Sequence, residues 1–117
     1  MGIPATTEEI RAALGLDVEA DQKTRDAAWK DQIRKEQKAN PDQWHVNLGI
    51  LIQRAYRLQI IDPDDFRRRM ARMIQFAKIV DVVIDLDEQM KEIDPVGYDS
   101  AWSALVSKEM NRLEGNR

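Results

Sequence analysis

The chain has 117 residues, of which 43% are hydrophobic and 33% charged, and its 21 acidic and 18 basic residues leave a net charge of -3. This length suits one small domain, and the overall charge gives no attraction to nucleic acid or to an anionic membrane. The absence of cysteine excludes disulfides and thiolate chemistry, and it fits the cytoplasm. We expect neither a signal peptide nor a membrane span, because no apolar run approaches the roughly 18 residues that a span requires.

Two helices are predicted before residue 40. Thr6 and Glu9 have the spacing of a capping box, and Gly15 suits a helix stop, so the first helix has about two turns. Residues 18–39 follow with a highly charged helical pattern whose acid-first pairs, such as Asp26 with Lys30, are spaced i,i+4.

The apolar side chains of this second helix form only a thin stripe. Val18, Trp29 and Ile33 are its large members. The helix therefore either lies lightly on the body, or residues 1–39 form an arm that docks on a partner. An exposed tryptophan among charges is typical of an interface hot spot, so these three residues are the predicted protein interface.

Residues 41–61 and 63–93 predict a helical hairpin, because each stretch opens with a polar residue and a proline and then carries an apolar stripe. The first stripe is Trp44, Leu48, Leu51, Ala55 and Leu58. The second is Phe66, Met70, Met73, Ile74, Ala77, Val80 and Ile84, after which the apolar positions drift sideways to Leu86, Met90 and Ile93. Residues 79–84 are rich in β-branched side chains, but their alternation fails and the chain offers no partner strand, so a helix is expected there.

A last helix over residues 100–115 completes the prediction, and the residues expected to face inward are Trp102, Leu105, Val106, Met110 and Leu113. The fold class is all-α, a small bundle of about five helices in a single domain, 1–117.

Arginines give the strongest functional signal. Arg67, Arg68, Arg69 and Arg72 cluster within residues 54–78, where seven bases against three acids give a local charge of +4. A short turn followed by an arginine-rich helix is similar to a helix-turn-helix, in which Arg67, Arg68 and Arg72 would contact nucleic acid. However, Asp62, Asp64 and Asp65 would repel phosphate at the helix N-terminus, so a solvated face or an acidic protein partner is the alternative.

Other candidate sites are weaker. Asp81, Asp85, Glu88 and Glu92 recur on one helix face, but a metal needs ligands from more than one element, and the Glu-x-x-His pairs of di-iron bundles are absent. The single histidine, His45, leaves little material for a zinc site or a hydrolase triad. No catalytic residue, metal, cofactor or small-molecule substrate is therefore predicted.

The leading hypothesis is a non-enzymatic helical interaction or assembly module that self-associates or docks on a larger complex. The alternative is a nucleic-acid-binding regulator that uses the arginine cluster. A divalent-metal-dependent helical phosphohydrolase is the third hypothesis. A protein partner or a homo-oligomer is thus expected, and a membrane partner is not.

Overall fold

The computed structural model describes residues 3–16, 21–93, 95, 98 and 100–115, with the backbone alone at 100 and 101. These residues contain six α-helices and no β-strand. The helices are α1 (Thr7–Ala13), α2 (Gln22–Ala39), α3 (Trp44–Arg57), α4 (Pro63–Phe76), α5 (Val80–Ile93) and α6 (Ser100–Gly115). The all-α prediction is confirmed, with six helices instead of about five. The chain divides into two compact units, residues 1–66 and 67–117, each of which is described by itself.

In the first unit, α1 begins and ends as the sequence predicts. The Thr6 hydroxyl oxygen accepts a hydrogen bond from the backbone N–H of Glu9 at 3.2 Å and donates one to its carboxylate at 2.8 Å. At the other end Gly15 has a φ of 71°, which glycine adopts without steric cost. The backbone N–H groups of Gly15 and Leu16 bond back to Ala12 and Arg11, which is the Schellman arrangement.

Helix α2 packs on α3, which is the first of the two arrangements that the sequence left open, and the expectation of an exposed Trp29 is wrong. Trp29 is only 3% exposed and Ile33 is fully buried. The reason is that α3 contacts both α1 and α2 and supplies apolar surface to each. Its buried residues are five hydrophobic residues and Gly49. Val18 lies outside the described residues, and α2 begins at Gln22 after an Asp21 cap.

Helix α3 buries Trp44, Leu48, Leu51 and Ala55 as predicted, but not Leu58, which is 51% exposed. The predicted span of 41–61 is too long, because α3 begins at Trp44 and ends at Arg57. Leu58 is its C-cap residue, and Gln59 follows with a φ of 59°, a left-handed conformation that terminates the helix. The end of α3 thus turns Leu58 away from the core face.

Helix α4 begins as predicted and ends early. The Asp62 carboxylate accepts a hydrogen bond from the backbone N–H of Asp65 at 2.7 Å, directly before Pro63 at the first helical position. The predicted single helix over 63–93 is wrong, because α4 stops at Phe76 and α5 starts at Val80.

The interruption at residues 77–79 changes which side of the chain is buried. Up to its first residue the buried residues are Met70, Met73, Ile74 and Ala77, and after it they are Val82, Val83, Leu86 and Met90. The step of five from Ala77 to Val82 turns about 140° around a continuous helix, so one uninterrupted helix could not bury both sets. The β-branched residues here also favour a helix less than most others do.

In the second unit, α5 packs on α6, where Trp102 and Val106 are buried as predicted. A polar cluster joins Tyr98, in the connection between these helices, to α5. The Tyr98 hydroxyl donates to Asp87, and the Lys91 ammonium lies 2.9 Å from the other oxygen of the same carboxylate. Lys91 also lies 5.4 Å from the centre of the Tyr98 ring. These contacts hold Tyr98 on the side of α5.

Candidate interaction surface

The start of α5 exposes two large apolar side chains. Ile79 is 61% exposed and Ile84 is 41% exposed, and Val80 between them is half-buried. Among the described residues Leu58 is the third large exposed hydrophobic, and it lies in the first unit. A single exposed apolar residue is ordinary, so the surroundings of each isoleucine decide whether it belongs to a contact surface.

Ile79 occupies a position that normally carries a polar residue. Its backbone carbonyl accepts hydrogen bonds from Val82 at 3.1 Å and from Val83 at 3.4 Å, so it immediately precedes the first turn of α5. The corresponding residues of α1, α2 and α4 are Thr6, Asp21 and Asp62, and each accepts a hydrogen bond from a first-turn N–H. An exposed isoleucine here forgoes the stabilisation that such a cap supplies.

The outward face of α5 is acidic around Ile84. Asp81 and Glu88 are exposed three and four residues from Ile84, and Asp85 is half-buried. Lys91, which lies 3.6 Å from Glu88, offsets part of this charge. Within the described parts of the chain, no group of three histidine, aspartate or glutamate side chains is arranged to hold a metal ion. We call Asp81, Ile84 and Glu88 the acidic apolar face. Ile79 is five positions before Ile84, a step that turns about 140° around a helix, so it is not part of this face.

The predicted arginine cluster is spread around α4. Arg68 is exposed, Arg67 and Arg72 are half-buried, and Arg69 is buried at 4% exposure. Arg68 and Arg72 are four residues apart and therefore lie on one side, which continues to Gln75, whose side-chain oxygen accepts from Arg72 at 2.6 Å. We call Arg68, Arg72 and Gln75 the basic face.

The N-terminal end of α4 is unfavourable for phosphate. The Asp62 carboxylate already accepts from a backbone N–H there, and the exposed Asp64 and the half-buried Asp65 add negative charge to the first turn. A positive helix end that could have attracted a phosphate group is thereby neutralised.

The other predicted site residues lie in the first unit. Trp29 and Ile33 are part of its core, so the predicted role of these side chains as a docking stripe would require the unit to open. His45 is half-buried, and its ring meets the Trp44 ring edge-on with centroids 5.7 Å apart. The His45 ring therefore packs against the Trp44 ring at the start of α3.

The apolar stripe in the sequence predicts Ile84 in the core, and no role is predicted for Ile79. The signal that could have identified both is local, because the β-branched run from Ile79 follows a stripe that ends at Ala77. A helix restarted there would have an apolar residue at its cap position.

Comparisons with protein-family models, with curated proteins and with solved structures gave no match. None of the helices in the described part of the chain has the length and apolar character needed to cross a membrane.

Proposed function

We propose that this protein is a non-enzymatic assembly module that pairs with a second copy of itself through residues 67–117. In this pairing the acidic apolar face of α5 in one copy meets the basic face of α4 in the other. The observation that carries the proposal is Ile84, a large apolar side chain that is 41% exposed between the exposed carboxylates of Asp81 and Glu88.

The charges of the two faces favour this pairing over a chance apolar contact. Asp81 and Glu88 give the acidic apolar face carboxylates, while Arg68 and Arg72 give the basic face guanidinium groups. Arginine can form two parallel hydrogen bonds to one carboxylate, which fixes orientation as well as adding attraction. Opposite charges on the two faces also speed encounter and disfavour other orientations.

Two-fold symmetry fits these faces because both belong to one unit of the chain. In a two-fold pair each copy supplies both faces, so the α4–α5 contact is made twice. Ile84 would then be covered at the centre of each contact, where apolar side chains contribute most to affinity.

The first test is the mass of the full-length protein over a concentration series, measured by sedimentation or light scattering. The proposal requires dimer at the higher concentrations and its dissociation by Ile84→Ser, with helicity by circular dichroism unchanged. Asp31→Asn, an exposed change on α2 in the first unit, is the control and should leave the mass unchanged. A native chain that stays monomeric throughout would disprove self-association.

A charge exchange tests the pairing itself. Arg68→Glu places like charges against the partner's carboxylates, and Asp81→Lys does the same against the partner's arginines, so each variant alone should stay monomeric. In a mixed dimer, one contact brings the glutamate at position 68 of the first variant to the lysine at position 81 of the second, so its charges are opposite. The other contact joins two unaltered faces. Dimer should therefore return on mixing. Failure of the mixture to dimerise, with the native chain dimeric, would reject these two faces.

Nucleic-acid binding by Arg67, Arg68 and Arg72 is separated in the same experiments. Binding through phosphate contacts weakens steeply as salt rises because counterions are released. We expect no salt-sensitive shift of a labelled DNA duplex with the native chain. Such a shift, lost in Arg68→Glu and kept in Ile84→Ser, would favour the regulator hypothesis over assembly.

A further inference from the structure

The first unit contains an open cavity of about 320 Å³ with one polar and one apolar side. Its polar side comes from Gln32 and Glu36 of α2, Asn40 after that helix, and Asn47 of α3. Its apolar side comes mainly from Ile3, Pro4, Ala13, Leu48 and Leu51. Binding sites for small molecules commonly combine an apolar wall with a few placed polar groups.

Glu36 organises the polar side. Its Oε1 atom accepts hydrogen bonds from the side-chain amide nitrogens of Asn40 and Asn47, both at 2.8 Å. These bonds fix the carboxylate on the half-buried side of α2 and leave its second oxygen, Oε2, outside both contacts. An amide that donates through its nitrogen keeps its oxygen as an acceptor. The polar side therefore offers acceptors around a negative charge.

The apolar wall is held in place from α3. The Arg54 guanidinium donates through Nη1 to the backbone carbonyl oxygens of Ile3 at 3.0 Å and Pro4 at 3.1 Å. This contact ties a segment before α1 to a helix about fifty residues later, and it places the side chains of Ile3 and Pro4 at the cavity. Arg54 itself does not line the cavity, and Glu36 is the one charged residue among the lining residues, so its carboxylate is the charged group that a ligand would contact.

We infer that this cavity binds a small alkylammonium ion, with the ammonium at Glu36 and the alkyl chain on the apolar wall. An ammonium has three donors and no acceptor, which matches a carboxylate and amide oxygens. Hydrogen bonds between two ionised groups are also stronger than neutral ones. A carboxylate ligand would be repelled by Glu36, and an alcohol would lack the charge. A metal ion is less suited because a single carboxylate supplies too few hard ligands.

The test uses the full-length protein and three probes with the same alkyl chain: hexylammonium, hexanol and hexanoate. Amide resonances of Ala13 and Leu48, followed by NMR, should shift saturably with hexylammonium. A dissociation constant on the order of 1 mM is compatible with a ligand of this size. Hexanol should bind at least about tenfold more weakly, and hexanoate should give no saturable shift.

Two variants separate the charge from the cavity. Glu36→Gln keeps the shape and an acceptor for the two amides but removes the charge, and it should weaken hexylammonium at least about tenfold, whereas Asp31→Asn, an exposed change on the same helix, should not. Ala13→Met should fill the cavity and weaken hexylammonium and hexanol alike. Equal binding of all three probes, no saturable binding by the native chain, or unchanged hexylammonium affinity in folded Glu36→Gln would each overturn the inference.

Discussion

Helices α2 and α5 differ in how their apolar side chains are covered, although both carry many charges. In α2, which has the poorer apolar stripe, the large apolar side chains of Trp29 and Ile33 are both buried. In α5, which buries Val82, Val83, Leu86 and Met90, Ile84 is left exposed and Ile79 is exposed just before the helix. The amount of apolar surface on a helix therefore does not decide whether each large apolar side chain is buried. What decides it is whether a neighbouring helix supplies a matching surface.

The largest expected effect comes from removing the Trp29 side chain. Trp29→Ala removes a buried indole from the α2–α3 contact and should lower the free energy of unfolding by about 3–5 kcal/mol. Denaturant unfolding followed by circular dichroism measures this change. Ile84→Ala is the matched control on α5, and at a concentration where the native chain is monomeric a surface change of that kind should stay within about 0.5 kcal/mol. Equal effects of the two substitutions would mean that α2 contributes no more to the core than the exposed side of α5.

The starts of α4 and α5 offer the next contrast, since Asp62 caps one helix and Ile79 precedes the other. Asp62→Ala should lower the free energy of unfolding by about 1 kcal/mol, because a first-turn N–H loses its acceptor. Ile79→Asp should raise it by about the same amount, because the new carboxylate can accept a hydrogen bond from the first turn of α5. The measurement is thermal unfolding of both variants at a concentration where the native chain is monomeric. A destabilised Ile79→Asp would show that this isoleucine contributes to folding in spite of its exposure.

The end of α3 supplies a smaller effect in the first unit. Gln59 adopts a φ of 59°, which costs a residue with a Cβ atom more than it costs glycine. Gln59→Gly should therefore raise the free energy of unfolding by about 0.5–1 kcal/mol. Gln53→Gly, in the interior of α3, is the control and should lower it by about 1 kcal/mol. The two glycine variants must move the unfolding midpoint in opposite directions if the left-handed turn is present in solution.

Features that depend on a few neighbouring residues were predictable from the sequence. The Thr6 and Asp62 caps and the Gly15 stop were predicted correctly, since a cap residue and its N–H partner are only three positions apart. Burial of Trp29 was not, because it depends on α3 lying alongside α2. The interruption at residues 77–79 was missed because the apolar stripe was followed through it. The candidate surface at Ile79 and Ile84 was missed for the same reason.

The smallest expected effect is a loss of the Tyr98 contact with α5, in the second unit, at alkaline pH. Burial, followed by the hydrogen bond to Asp87, raises the pKa of Tyr98 above its ordinary value of 10.0, and the hydrogen bond to Asp87 followed by its negative charge raises the pKa of Lys91 above 10.5. For groups raised in this way, the stabilisation is complete below the ordinary pKa values and is lost as pH rises through the folded ones. Alkaline pH should therefore loosen the Tyr98 contact with α5.

Absorbance titration of the Tyr56→Phe variant, in which Tyr98 is the only tyrosine, measures the pH at which the Tyr98 hydroxyl is half ionised. Adding Asp87→Asn should lower this midpoint. A midpoint at or below 10.0 before that second change would show that Tyr98 is not held on α5.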